Sequence, residues 1–251
     1  MMAAAAGFLM ATTSCKKNAY EYTPGTPAEK TTLTKIEKDG EITEAVYNSD
    51  GSIQSLNRKL VNNTNLQNYV FSYDNGKLKE VDFNGKWKYY YTGEYITSVE
   101  TYNANGVLKY RTDFAYTNGR VSEKIQYFVT SLGAFPDFRT VYHYRADGNV
   151  VKKEVFQDVN HEWFKEEDVI IEEYDQYINA SERFVSYPYL PAGMFPPNNP
   201  VKEIWVDRGG TITQTAYHLY TYDVNARPLT RKTTYKFPGF PDTFSDLKIE
   251  Y

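Results

Sequence analysis

"YHYRADGNVVKKEVF", residues 142–156, is the stretch whose reading decides the fold. It runs aromatic, polar, Asp-Gly, aliphatic, charged. Related phrases stand at 71–83, "FSYDNGKLKEVDF", and at 220–235, "YTYDVNARPLTRKTTY". Gly takes positive φ without steric cost, and Asn or Asp tolerates it. Such a pair between two alternating runs is a strong hairpin signal.

The same unit recurs along the chain. Gly51 precedes Ile53, Gly76 precedes Leu78, Gly106 precedes Val107, Gly119 precedes Val121 and Gly148 precedes Val150, each a few residues after a tyrosine. Asp39-Gly40 and Asn84-Gly85 add two further pairs. Gly76, Gly106, Gly119 and Gly148 are expected at positive φ. Tyr222-Asp223-Val224-Asn225-Ala226 places Ala where Gly is expected, which predicts a longer or differently shaped turn there.

The flanking runs have the two-residue period of strands. Tyr110, Thr112, Phe114 and Tyr116 share one face, and Arg111, Asp113 and Ala115 the other. No helical stripe follows residue 31. The chain therefore reads as all-β: an antiparallel meander of hairpins with one aromatic, β-branched face and one charged face. Over a dozen strands with no helix to cover them cannot stay flat. The sheet must curl into a barrel or a coiled roll.

Composition narrows the function classes. The chain has 251 residues, 24 of them Tyr, and a formal charge of −4. Tyrosine suits half-buried pleated surfaces. No basic field is present to hold nucleic acid phosphates. No apolar run reaches the length of a membrane-spanning helix. The single Cys excludes an internal disulfide.

That Cys lies in "MMAAAAGFLMATTSCKKNAY". An apolar stretch, then small residues, then Cys15 and two lysines resembles a bacterial lipoprotein signal, whose Cys is lipidated and becomes the new N-terminus. Thr13 and Ser14 fit the small positions; Thr12 stands where Leu is usual, and no basic residue precedes the apolar stretch. The resemblance implies a signal peptide over residues 1–14 and a lipidated Cys15. Pro24, Gly25 and Pro27 make residues 15–31 a tether, leaving residues 32–251 as one β-meander domain.

The Tyr-Asp-x-x-Gly-x-Leu phrase is similar to the YD repeats of RHS proteins. The whole layout more closely resembles the small DUF4595-like lipoproteins of the Bacteroidota. The matching pieces are "SCKK", the hairpins, "EEYDQYINASERF" (172–184), "PPNNPVKEIWV" (196–206) and the phrase at 220–235. The resemblance implies a barrel of porin-like shape and a place in the cell envelope, at the outer membrane. It implies no catalytic residue. The charged outward face of most strands is unlike a lipid-facing band.

The residues themselves carry little chemistry. His143, His161 and His218 have no metal-ligand spacing, and no phosphate-binding Gly loop or Gly-x-Ser-x-Gly occurs. Neither a metal nor a cofactor is expected. Glu166, Glu167, Asp168, Glu172 and Glu173 read as a solvated strand face; paired carboxylates of a glycosidase, or calcium ligands, are the alternatives.

The interruptions are the better candidates. Residues 128–139, 186–200 and 236–244 read as connections too long and too aromatic for plain turns. Phe135, Phe138, Tyr187, Tyr189, Phe195, Phe237, Phe240 and Phe244 are the ligand-binding candidates, as a platform for a glycan or an envelope protein partner. The alternative is that they fold inward as lids. The reading is a non-enzymatic, lipid-anchored binding protein. A structural spacer and a glycan-acting enzyme are the alternatives. An exposed aromatic cluster would favour binding, and a buried one the spacer.

Overall fold

Tight Asn/Asp-Gly turns leave successive strands no choice but to lie side by side, antiparallel. A computed structural model describes residues 33–61, 66–179 and 196–251. Its strands are β1 (Lys35–Lys38), β2 (Glu41–Tyr47), β3 (Ile53–Leu60), β4 (Gln67–Asp74), β5 (Lys77–Phe83) and β6 (Gly85–Thr92). Next come β7 (Tyr95–Asn103), β8 (Leu108–Thr117), β9 (Arg120–Thr130), β10 (Gly133–Tyr144) and β11 (Val150–Val159). The last are β12 (Glu162–Ile178), β13 (Asn198–Asp207), β14 (Ile212–Tyr222), β15 (Pro228–Lys236) and β16 (Thr243–Glu250). Each pairs with its neighbours in sequence, and β16 pairs with β1, so the sheet is a closed barrel without edges. This is the expected all-β meander, and of the two expected forms it is the barrel.

The expected glycines have left-handed φ: 77° at Gly76, 72° at Gly106, 76° at Gly119 and 94° at Gly148. At Gly148 a Cβ would also lie 2.5 Å from Arg120 Nη2. The 223–227 turn corrects the sequence expectation. Asp223 N bonds Arg227 O at 2.9 Å and Ala226 N bonds Asp223 O at 3.0 Å. The Arg145–Asn149 turn makes the same two bonds with Gly148 in place of Ala226. Ala226 adopts φ 61°, and the Asp223 carboxylate accepts from the Asn225 and Arg227 N–H groups to hold it there.

The tyrosine before each turn has a purpose that the repeat alone did not disclose. The ladder slips by one residue just before Tyr47, Tyr73, Tyr91, Tyr116, Tyr144 and Tyr222. Such bulges re-aim side chains. Tyr73 then donates its hydroxyl to Ile53 O at 2.9 Å, Tyr116 to Ile96 O at 2.8 Å and Tyr144 to Val121 O at 2.7 Å. Tyr47, Tyr91, Tyr174 and Tyr251 likewise reach Leu33, Leu78, Val150 and Pro228. Leu33 lies just before β1, and each of the other acceptors lies at the start of the strand after the preceding turn at this rim. Burial pushes Tyr47, Tyr73, Tyr91 and Tyr251 up to about 12, so these phenols stay neutral donors. Tyr222 breaks the series and bonds the Asp175 carboxylate instead.

Residues opposed across the ladders share a face. On the inner face near the tyrosine rim, Val81, Val121 and Val150 are 0% exposed and belong to a single apolar cluster with Phe114, Tyr142 and Leu247. That end of the barrel is packed, not a pore. The outer wall carries ion pairs: Lys35–Glu250, Lys59–Glu44, Lys86–Glu80, Arg139–Glu123, Lys165–Asp168 and Lys202–Glu172. Exposed pairs contribute little stability. Their presence around the wall is the informative point, because a lipid-facing band excludes such charges.

Candidate functional site

At the rim opposite the tyrosine ring the inner face changes character. Register pairs Tyr110 with Phe128 and Phe128 with Phe135, while Phe138 lies opposite Gln126 and Gln157. Gln157 in turn opposes Phe164. All stand on the face that holds Phe114 and Tyr142. Yet Tyr110, Phe128, Phe135, Phe138 and Phe164 are 38–42% exposed. The Tyr110 and Phe128 rings are 5.8 Å apart. The barrel thus has a mouth whose inner wall is wet and aromatic. On β4 to β6 the Tyr69 and Trp87 rings stack, and Phe83 packs tilted against Trp87 with 4.3 Å between centroids.

Between mouth and packed end lies a polar belt. Thr112, Lys124, Thr140, Lys153, Glu203, His218, Arg231, Thr233 and Ser245 all point inward by register. His218 contacts Thr233 Oγ1 at 2.9 Å and Glu203 Oε2 at 3.1 Å. Burial works to raise the Glu203 pKa, but the His218 hydrogen bond and the charges of Lys153 and Arg231 outweigh it and hold the carboxyl below its usual range. Burial, then the charge of Lys153, pushes the Lys124 ammonium down. A cavity of about 270 Å³ opens against this belt, lined by Lys153, Val169, Glu203 and Trp205 on the mouth side and by Val150, Ile171, Tyr174, Pro196 and Pro200 towards the tyrosine rim.

The sequence candidates fall in different places. Residues 128–139 are not a long connection. β9 and β10 run through them to a tight turn at Thr130–Gly133, and Pro136 is accommodated beside a bulge before Phe138. Phe135 and Phe138 are therefore strand residues in the mouth. Phe237 and Phe240 belong to the β15–β16 connection at the same rim and Phe244 to the start of β16, with Phe240 74% and Phe244 61% exposed. Phe244 faces outward, under Lys232 Nζ. Cys15, Tyr187, Tyr189 and Phe195 lie outside the described residues.

His143 is outside, 2.8 Å from Glu154, and His161 sits in the β11–β12 turn. Among the described residues no group of His, Cys, Asp and Glu could hold a metal ion. Asp168 points out to Lys152 and Lys165, whereas Glu167 points in. The inward carboxylates Glu167 and Glu203 stand four residues apart measured along β12, because Glu203 opposes Ile171. That is about 13 Å of strand, beyond the separation of a glycosidase acid–base pair. Sequence reasoning missed Tyr110, Phe164, Lys124 and Lys153. The alternation assigned each a face, but only register states which faces are interior.

No family model matches the chain, and no curated protein matches it. Solved structures do. A porin-like protein from Bacteroides uniformis superposes with a TM-score of 0.59 at 12% identity, over 87% of this chain and 97% of that one. A porin-like protein from Bacteroides vulgatus gives 0.51 at 12% identity, over 87% and 98%. At such identities the likeness is one of fold.

Proposed function

We propose that this chain is a lipid-anchored, non-enzymatic protein of the bacterial envelope that binds a saccharide in the mouth of its barrel. The observation that carries the reading is the exposure of Tyr110, Phe128, Phe135, Phe138 and Phe164 on an inner face whose Val81, Val121 and Val150, towards the other end, are 0% exposed. Exposed aromatic clusters without a partner are uncommon. A concave, ring-lined wall with polar groups behind it suits a small ligand better than a folded partner. The separation of Glu167 from Glu203 supports binding over hydrolysis.

The anchor is Cys15, in a lipoprotein of the DUF4595-like kind, and the ion-paired outer wall fits a barrel held beside a membrane by lipid. Cys15→Ala is expected to release the protein from the membrane fraction; continued pelleting of the variant would end the anchor reading. On a saccharide array the full chain should retain a subset of glycans. Phe138→Ser should weaken that retention about tenfold, the loss of one buried ring contact, with an unchanged β-sheet circular dichroism spectrum. An array with no retained saccharide, or retention indifferent to Phe138→Ser, would refute it.

A further inference from the structure

Behind the aromatic mouth the interior holds two inward lysines. Lys124 on β9 opposes Thr140, and Lys153 on β11 opposes Tyr142, so the two flank β10 on the inner face. Among the described residues neither makes an ion pair. Lys153 lines the cavity beside Glu203, and its charge acts on that carboxylate without an ion-pair contact; the carboxylate's hydrogen bond goes to His218. Glu167, the next inward carboxylate towards the mouth, opposes Val155 and has no cation at hydrogen-bond distance. Its pKa is raised by burial and by Glu166.

Uncompensated ammonium groups in a recess are costly unless something pairs with them. Other lysines of this chain show the contrast: Lys35, Lys86, Lys152, Lys165 and Lys202 each sit within 3 Å of a carboxylate on the outer wall. Lys153 instead lines a cavity of about 270 Å³, room for a carboxylate or sulfate together with part of the ring that bears it, and Lys124 stands on the other side of β10 from Lys153. On β12 the inward series Ile171, Val169, Glu167 leads from that cavity to Phe164, so cavity and mouth share one wall.

We propose that the cavity at Lys153, with Lys124 beside it, takes an anionic group of the ligand whose ring rests on the mouth aromatics. Resting on the saccharide reading above, this makes the ligand an acidic sugar. The ammonium groups donate to the anion, and Glu203, held by His218, keeps Lys153 oriented without filling the cavity. An anion between Lys124 and Lys153 also removes their mutual repulsion.

The test uses the full chain with Cys15→Ala, to avoid lipid, and a matched probe pair. 1-Anilinonaphthalene-8-sulfonate and N-phenyl-1-naphthylamine share an aromatic body and differ by the sulfonate. The sulfonate should bind at least about tenfold more tightly, the worth of a charge-assisted hydrogen bond. Lys153→Met should bring its affinity to that of the neutral probe while leaving the neutral probe unchanged, which also demonstrates a folded barrel. Lys248→Met, on the outer wall, should change neither. Equal affinity for the two probes, or sulfonate binding indifferent to Lys153→Met, would overturn the anion site. Trigalacturonate should displace the sulfonate, and its methyl ester should not. Equal displacement by both would overturn the acidic class and leave the saccharide reading. Displacement by neither, with the probe difference intact, would overturn the saccharide reading and leave the anion site.

Discussion

Gly85→Ala is expected to destabilise the barrel by about 3 kcal/mol, combining a strained backbone with overpacking. Gly85 joins β5 to β6 with φ 143°. A Cβ there would stand 2.5 Å from the backbone oxygen of Tyr102 and 3.0 Å from the Phe83 ring. A backbone carbonyl cannot swing aside as a side-chain end can. Tyr102 is held in the β6–β7 ladder, opposite Lys86, so relief would open the pairing that places Trp87 in the inner wall. Gly106 is the control. It has φ 72° and open space around its Cβ position, so alanine there should cost only about 1 kcal/mol, the intrinsic penalty of a left-handed residue. Urea unfolding of both variants separates backbone strain from the steric clash. A Gly85→Ala midpoint no lower than that of Gly106→Ala would mean that the β6–β7 ladder yields.

His218→Leu should cost about 3 kcal/mol at neutral pH, because it strands a carboxylate in the interior. Two hydrogen bonds are lost, to Thr233 and to Glu203. Most of the cost arises at Glu203. In the native barrel its folded pKa lies below the ordinary 4.5. Its contribution is therefore complete above that value and drains away as pH falls through the lower folded pKa. In the variant burial is no longer offset by the imidazole, and the folded pKa rises. The charged form then destabilises the barrel at neutral pH, and acidification relieves this as protonation becomes easier in the folded state. The stability gap between native and variant should be widest near neutral pH and narrow towards acid. A gap of constant size across that range would show that Glu203 is not the group responsible. His218→Leu with Glu203→Gln together should cost less than His218→Leu alone, since the stranded charge is gone.

Gly85 and His218 mark the two kinds of information in this chain. The Asn84-Gly85 pair was readable at once as a turn, whereas its close approach to Tyr102 belongs to a neighbouring hairpin. His218 was readable as one strand residue among tyrosines. That it faces inward, against a glutamate from β13, required the register of the sheet.

What the sequence by itself determined is local. Alternation every second residue marks strands, Asn/Asp-Gly pairs mark turns, and an apolar face on a helix-free meander demands curling. The amino acids therefore contained the all-β class, the antiparallel order and the left-handed glycines. Tertiary structure alone decided the rest, for three physical reasons. Bulges shift the parity of a strand, so the face assigned before a slip does not hold after it; the bulges before Tyr144 and Phe138 are of this kind. Turns alternate between the two ends of a meander, which brings Phe135, Phe138 and Phe240 to one rim although they read as parts of two separate aromatic interruptions. Ala226 can take a glycine conformation because Asp223 and the surrounding ladder hold it there. The mouth, the inner lysines and the cavity arise where β8 to β13 meet, from residues more than ninety positions apart in the chain. No local pattern connects such residues, because only closure of the sheet brings their inward faces onto one wall.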